Sequence, residues 1–230
     1  MGIYFEDITG QQDATFIGKA NPASPSSLET FYSRIAKRGL DVVLVLLSMP
    51  FVLPVVGILA LALILTGNKP FYTQLRVGRN GKEFRMWKLR TMVPDADIKL
   101  KAYLKQNSDA RREWNLHQKI KNDPRIVPIG KFLRATSLDE LPQLFNVLSG
   151  SMALVGPRPI MVDQKAVYPS RAYYHMLPGL TGLWQISDRN ECTFGERAKF
   201  DDVYLKRISL REDLRIMMQT VLIIMKRTGY

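Results

Sequence analysis

Thiols and imidazoles are almost absent from this sequence: its 230 residues include a single cysteine, Cys192, and two histidines, His117 and His175. One cysteine excludes an internal disulfide framework and a Cys-rich metal centre. Two histidines are too few for the usual histidine-based zinc sites. Charge is missing altogether between Val42 and Leu65. No internal repeat occurs, and no zinc-finger or RNP signature marks a nucleic-acid-binding module. What remains is the composition of a cytosol-facing enzyme that works with carboxylates.

Outside the uncharged stretch the chain is strongly basic, with a formal net charge of +12. Such an excess suits nucleic acid, an anionic membrane surface or phosphate-bearing substrates. The basic residues flank the apolar stretch and recur inside the later motifs, which favours membrane and phosphate. No nucleic acid is expected as a partner.

Residues 1–30, with Asn21-Pro22-Ala23-Ser24-Pro25, read as a disordered N-terminal tail rich in Pro, Ser, Gly and Gln. They lack the basic, apolar, small-residue order of a signal peptide. Residues 31–67 form the membrane segment, and 68–230 a cytosolic catalytic domain. At about 1.5 Å per residue the uncharged stretch reaches roughly 36 Å as a helix, enough to cross a bilayer. Two features oppose a simple crossing. Ser48, Pro50 and Pro54 interrupt its first half to middle, and each proline removes a helical hydrogen bond. Arg34, Lys37 and Arg38 before it, and Lys69, Arg76 and Arg79 after it, place both flanks on the cytoplasmic side. A re-entrant helix-break-helix, broken at Ser48 and Pro50, satisfies both facts. A proline-kinked spanning helix is the alternative.

Further along, Phe71, Thr73, Leu75 and Val77 alternate with polar residues, and Asn80-Gly81 supplies a turn with positive φ, predicting a β-hairpin. Its second strand is expected over Glu83–Met92. A charged helix is expected from Asp95 to about Lys121, a short one from near Leu141 to Leu148, and a final one over roughly Leu210–Lys226. The apolar side of the last, with Leu214, Met218, Val221 and Leu222, suits core packing better than a second membrane contact. The fold class is α+β: a mostly helical domain with a small hairpin, anchored by the membrane segment.

Three segments are candidates for chemistry. In Arg134-Ala-Thr-Ser137-Leu-Asp139-Glu140-Leu-Pro-Gln143, adjacent carboxylates precede a helix. Ser137 with Glu140 matches a capping box, which is the structural reading. A carboxylate at a helix start, held ionised, is also a competent nucleophile toward phosphorus, with Arg134 near to receive the phosphate. In Gly156-Pro157-Arg158-Pro159, flanking prolines restrict the backbone and present Arg158 for phosphate or for a structural acid. In Pro178-Gly179-Leu-Thr-Gly182-Leu-Trp-Gln-Ile, the glycines permit close approach to a ligand or a neighbouring strand. A further acid in Lys199-Phe-Asp201-Asp202 would complete a magnesium site with Asp139 or Glu140.

Taken together, Lys37-Arg-Gly-Leu-Asp41, Lys88-Leu-Arg90-Thr-Met92, the Ser137–Gln143 segment, Val155–Pro159 and Pro178–Gly182 resemble the bacterial sugar transferase family of monotopic phosphoglycosyl transferases. The likeness runs from about Arg34 to Tyr230. Its Leu183-Trp184-Gln185-Ile186 variant looks closest to members that initiate exopolysaccharide synthesis with galactose or glucose phosphate. The resemblance implies a two-step reaction at the cytoplasmic face of a bacterial inner membrane. Asp139 attacks the β-phosphate of a UDP-sugar and releases UMP, and undecaprenyl phosphate then takes the sugar phosphate from the aspartyl intermediate. Glu140 is implied as acid–base or metal partner, Lys88, Arg90, Arg134 and Arg158 as phosphate binders, and Asp139 with Asp201 as residues for Mg2+; alignment to Asp202 is the alternative. Met49 parts Ser48 from Pro50 where many relatives have serine and proline adjacent. Without a multi-span region before Arg34, the compact form of the family is expected. A conventional glycosyltransferase and a non-catalytic scaffold of a polysaccharide assembly complex are the rival readings. The sugar is not legible, and a homo-oligomer is left open.

Overall fold

The computed structural model describes residues 32–67, 69–117, 120, 123–187 and 193–225. The tail, residues 1–30, and Cys192 lie outside them. A π-helical turn, Tyr32–Ala36, leads into helix α1, Lys37–Leu65. The helix stays continuous through Ser48, Pro50 and Pro54, so the expected separation into two helices at Ser48–Pro50 is not found. The Ser48 hydroxyl donates back to the Val45 carbonyl within the same turn. The helix stops at Thr66–Gly67, where Gly67 takes a φ of 77° and its N–H reaches the Ile64 carbonyl.

One stripe of α1 is buried: Asp41, Val45, Val56, Ala60 and Leu63, at helical spacing. Val45 packs with Leu144, Val147 and Met152, and Leu63 packs with Leu89 and Leu133. Its N-terminal end is also fixed by polar contacts. Arg38 donates to the Val147 and Leu148 carbonyls, and Lys37 pairs with the buried Asp213. The opposite face, with Leu46, Leu47, Phe51, Ile58, Leu61 and Leu65, is exposed.

Strands β1 (Phe71–Val77) and β2 (Glu83–Leu89) form the expected antiparallel hairpin, with Val77 opposite Glu83 and Phe71 opposite Leu89. Asn80 and Gly81 both have positive φ, as the turn requires. The second strand ends at Leu89, short of Met92, which instead bridges Ile126. The single helix expected from Asp95 is divided into α2 (Ala96–Gln106) and α3 (Ser108–His117). Asn107 causes the division: its backbone is extended, and its side-chain oxygen accepts from the Asp109 and Ala110 N–H groups as an N-cap.

Helix α4 (Pro128–Ala135) begins on a proline, and α5 covers Gln143–Leu148. Two short strands, β3 (Ala153–Val155) and β4 (Gly179–Thr181), pair in parallel. Helices α6 (Arg197–Arg207) and α7 (Leu210–Met225) end the described chain. On α7 only Asp213 and Ile216 are buried, while Leu214, Met218, Val221, Leu222 and Met225 are exposed. That corrects the expectation of a mainly core-packing helix: Ile216 and Met217 suffice to seat it, and most of its apolar surface faces outward. Mostly helical with small sheets, the fold is the expected α+β class.

Candidate active site

Asp139 and Glu140 lie in a 3₁₀ turn, Leu138–Glu140, set against β2 and α4. Ser137 enters that turn at φ 56° and makes no side-chain cap. The capping box is therefore not formed, and the pair sits a few residues before the six-residue α5 rather than in the first turn of a long helix. Ionisation at this site depends on side-chain cations instead of a helix dipole.

Those cations come from three elements. Lys88, near the end of β2, pairs with Glu140 at 2.7 Å. Arg158, from the loop after β3, reaches the same Glu140 oxygen at 3.4 Å. Arg134, on the last turn of α4, donates through Nε to Thr91 at 2.8 Å and exerts its charge on Asp139. Burial opposes the Glu140 charge, but Lys88 and then Arg158 outweigh it and hold the carboxyl down at about 2. For Asp139 burial prevails: it pushes the carboxyl above its ordinary value against the pull of Lys88, and the neighbouring Glu140 charge adds to the rise. Asp139 is 6% exposed, and among the described residues no hydrogen bond reaches its carboxylate. A buried carboxylate is thus left without a hydrogen bond beside the positive charges of Lys88, Arg134 and Arg158.

The two glycine motifs hold Arg158 in place by interlocking. A Cβ on Gly179 would lie 2.1 Å from the Gly156 nitrogen, and one on Gly182 would lie 2.0 Å from the Gly156 carbonyl oxygen. The Gly179 N–H donates to Pro157 at 2.8 Å, and Gly156 N–H to Thr181 at 2.9 Å. Of the two uses read for these glycines, close approach to a neighbouring strand is the one realised. The loop that presents Arg158 is clamped by backbone that no side chain can enter.

Lys88, Arg134, Arg158, Asp139 and Glu140 are thus gathered together. Arg90 is not tied to them by any hydrogen bond or ion pair among the described residues; its guanidinium lies over the Tyr72 ring at 5.5 Å. Asp201, on α6, accepts a hydrogen bond from Tyr168 at 2.6 Å and lines a cavity that also includes Arg158. Burial pushes its carboxyl up to about 7. Among the described residues no three His, Cys, Asp or Glu side chains form a ready metal cage. The donor chemistry still fits magnesium, which binds through one or two carboxylates plus substrate phosphates; the unpaired Asp139 oxygens would suit such a ligand. Two arginines beside the site, Arg76 on β1 and Arg197 on α6, were not among the phosphate binders expected from the sequence. The alternation of β1, which turns Arg76 to the face opposite Leu75 and Val77, was the available signal for the first.

Residues 32–227 match the family model described as bacterial sugar transferase. An "Uncharacterized sugar transferase" of Haemophilus influenzae is 44% identical over 206 residues, covering 89% of this chain and 44% of that protein. An "Undecaprenyl-phosphate galactose phosphotransferase" of Salmonella typhimurium is 42% identical, covering 86% and 42%. The "Exopolysaccharide production protein ExoY" of Rhizobium meliloti is 42% identical, covering 81% and 84%. The chain therefore spans less than half the length of the first two and most of the third.

Proposed function

Since the chain belongs to the bacterial sugar transferase family, we propose that it transfers a sugar 1-phosphate from a UDP-sugar to undecaprenyl phosphate, the first step of an exopolysaccharide or glycoconjugate. The observation that carries the reading is the buried Asp139 carboxylate, left without a hydrogen bond between Lys88, Arg134 and Arg158. The printed name of the Salmonella relative favours galactose as the sugar, with glucose as the alternative.

In the first half-reaction an Asp139 oxygen forms a bond to the β-phosphorus of the donor. The bond from that phosphorus to the bridging oxygen breaks, and its electron pair leaves on the α-phosphate as UMP. The sugar phosphate remains on Asp139 as an acyl phosphate. In the second, a phosphate oxygen of undecaprenyl phosphate attacks the same phosphorus, and the aspartyl carboxylate departs restored. Lys88, Arg134 and Arg158 neutralise the equatorial oxygens in both steps. Glu140, already held by Lys88 and Arg158, fixes those two cations at the reaction centre. Magnesium, when bound through Asp139 and the donor phosphates, would supply further charge neutralisation. The Asp201 carboxylate is engaged with Tyr168, so it would have to release that hydroxyl to reach the metal.

The acceptor is a lipid, so the site must lie at a bilayer. The exposed apolar face of α1 supplies the contact, at the inner membrane with the catalytic domain on the cytoplasmic side. A re-entrant course is favoured because both ends of α1 dock on one domain, through Arg38 at the start and Leu63 near the end.

The test is a rapid quench with labelled donor. Wild-type protein should carry phosphosugar on the peptide containing Asp139 and release UMP, and Asp139→Asn should do neither. Release of UDP instead would establish a conventional glycosyltransferase. Polymer production by Asp139→Asn at the wild-type level would establish a scaffold.

A further inference from the structure

The Lys37-Arg38-Gly39-Leu40-Asp41 segment that opens α1 carries three ionisable side chains, and all three are turned into the domain. Lys37 pairs with Asp213, on α7, at 2.5 Å. The same carboxylate accepts from Tyr204 of α6 at 2.6 Å and from Tyr32 at 2.7 Å. We infer that Asp213 is a positioning residue: it ties the start of α1 to strand β3 and so holds Arg158 at the Asp139–Glu140 pair. What Arg158 does there rests on the transfer reading above; the tie itself does not.

Asp213 is 1% exposed and Tyr204 is 2% exposed, so the cluster lies in the interior. Desolvation offsets much of the attraction in a buried ion pair, and apolar side chains of similar volume would stabilise the contact about as well. What several donors meeting on one carboxylate supply is a narrow geometry among the elements that bear them. Here Oδ2 takes Tyr32 and Lys37, and Oδ1 takes Tyr204. The turn before α1, α1 itself, α6 and α7 are thereby fixed to one another at a single side chain.

Strand β3 passes this geometry on. The Tyr204 hydroxyl lies 3.4 Å from the Val155 carbonyl oxygen, and the Leu154 N–H faces the buried Asp41 carboxylate. Farther along α7, Thr220 meets Thr181 of β4 at 2.6 Å. Arg158 follows Val155 through Gly156 and Pro157, where the backbone is already interlocked with Gly179 and Gly182. A displacement of β3 therefore reaches the guanidinium with little slack. From the other side, Arg38 donates to the Val147 and Leu148 carbonyls that end α5, the helix after the 139–140 turn. One short segment of α1 thus touches the supports of both the carboxylate pair and the arginine. Lys37 and Arg38, which read in the sequence as charges of a cytoplasmic flank, are also struts of the site.

The experiment compares the full chain in detergent, wild type against Tyr204→Phe, which keeps the ring in its cluster with Val155 and Ile216 and removes only the hydroxyl. Hydrogen exchange read by mass spectrometry should show the amides of residues 153–160 exchanging about tenfold faster, with those of the hairpin, residues 71–89, unchanged. The kcat/KM for UMP release should fall by about tenfold, and in an Arg158→Gln background the same substitution should cost nothing further. Lys37→Gln should behave alike, and Lys37→Arg should recover most of the loss. Unchanged exchange at 153–160 overturns the assignment. So does exchange raised equally throughout the chain, and so do kinetic losses that multiply in the double variant. If Tyr204→Phe does not fold, the two Lys37 variants decide. Faster exchange at 153–160 with UDP released, or with no adduct on Asp139, sinks the transfer reading alone. UMP release with unmoved exchange sinks the tie alone.

Discussion

Replacing Lys88 by methionine removes the cation on which both the Asp139 and the Glu140 carboxylates lean, and the consequences differ for the two. For Glu140, the drop from the ordinary 4.5 to about 2 corresponds to about 3 kcal/mol of net charge stabilisation. Lys88, at 2.7 Å, contributes more of it than Arg158 at 3.4 Å. Asp139 starts from a carboxyl already raised by burial, and Lys88 is the largest influence opposing that rise. Its removal should therefore raise the Asp139 titration further. Under the transfer reading only the ionised carboxylate attacks phosphorus, so the acidic limb of kcat/KM for UMP release should move upward. Above the limb, loss of one phosphate-binding cation should cost about a hundredfold. The assay is UMP release in lipid vesicles from pH 5 to pH 9, with the melting temperature as a control. A folded Lys88→Met variant with an unmoved acidic limb refutes the claim that Lys88 keeps Asp139 ionised.

The raised carboxyl of Asp201 gives an opposite pH dependence, in stability. A folded-state value of about 7 against 3.8 unfolded favours the folded state fully below pH 3.8, and that contribution is lost as pH rises through 7. Asp201→Asn should therefore stabilise by up to about 4 kcal/mol at pH 8 and by almost nothing at pH 4, read from thermal melts; equal effects at both would remove the argument. Gly179→Ala should cost more than about 3 kcal/mol or prevent folding, because its Cβ has no room against Gly156; a wild-type melt would contradict the interlock. For topology, cysteines replacing the exposed Ile35 and Lys69, in a Cys192→Ser background, should both react with an impermeant maleimide only when the cytoplasmic face is open. Opposite sidedness would show that α1 crosses.

The residues legible from the sequence were those whose local chemistry is strong: the Asn80-Gly81 hairpin, the apolar α1, and the paired acids at 139–140. What the sequence misjudged was how neighbours answer one another. Ser137 and Glu140 have the spacing of a capping box, yet Glu140 is drawn away by Lys88 and Arg158, and Ser137 turns into the left-handed region instead. Asn107 has a weak local preference for helix starts that a long charged run concealed, and it divides the run in two. Arg76 and Arg197 are far apart in sequence and meet only because β1 and α6 flank the loop after β3. Arg90, two residues from Lys88, shares its motif but stacks on Tyr72.

The membrane segment shows most clearly how packing constrains what composition leaves open. A 29-residue helix is about 44 Å long at 1.5 Å per residue, longer than a bilayer core of about 30 Å. If it stood along the membrane normal, the partners of Arg38 near one end and of Leu63 near the other would lie on opposite sides of the hydrocarbon. Those partners, Val147 and Leu133, belong to one domain that is rich in charge and joined by α4 and α5. Drawing that domain through the bilayer would desolvate many ionised side chains at several kcal/mol each. A helix that lies along the domain avoids the cost: Val45, Val52, Val56 and Leu63 pack against it from end to end, and the opposite apolar face is left outward. Pro50 and Pro54 leave the Leu46 and Pro50 carbonyls without their helical donors, yet the helix stays continuous through them. The same docking holds the exposed apolar face of α1 along one side of the domain that carries Asp139.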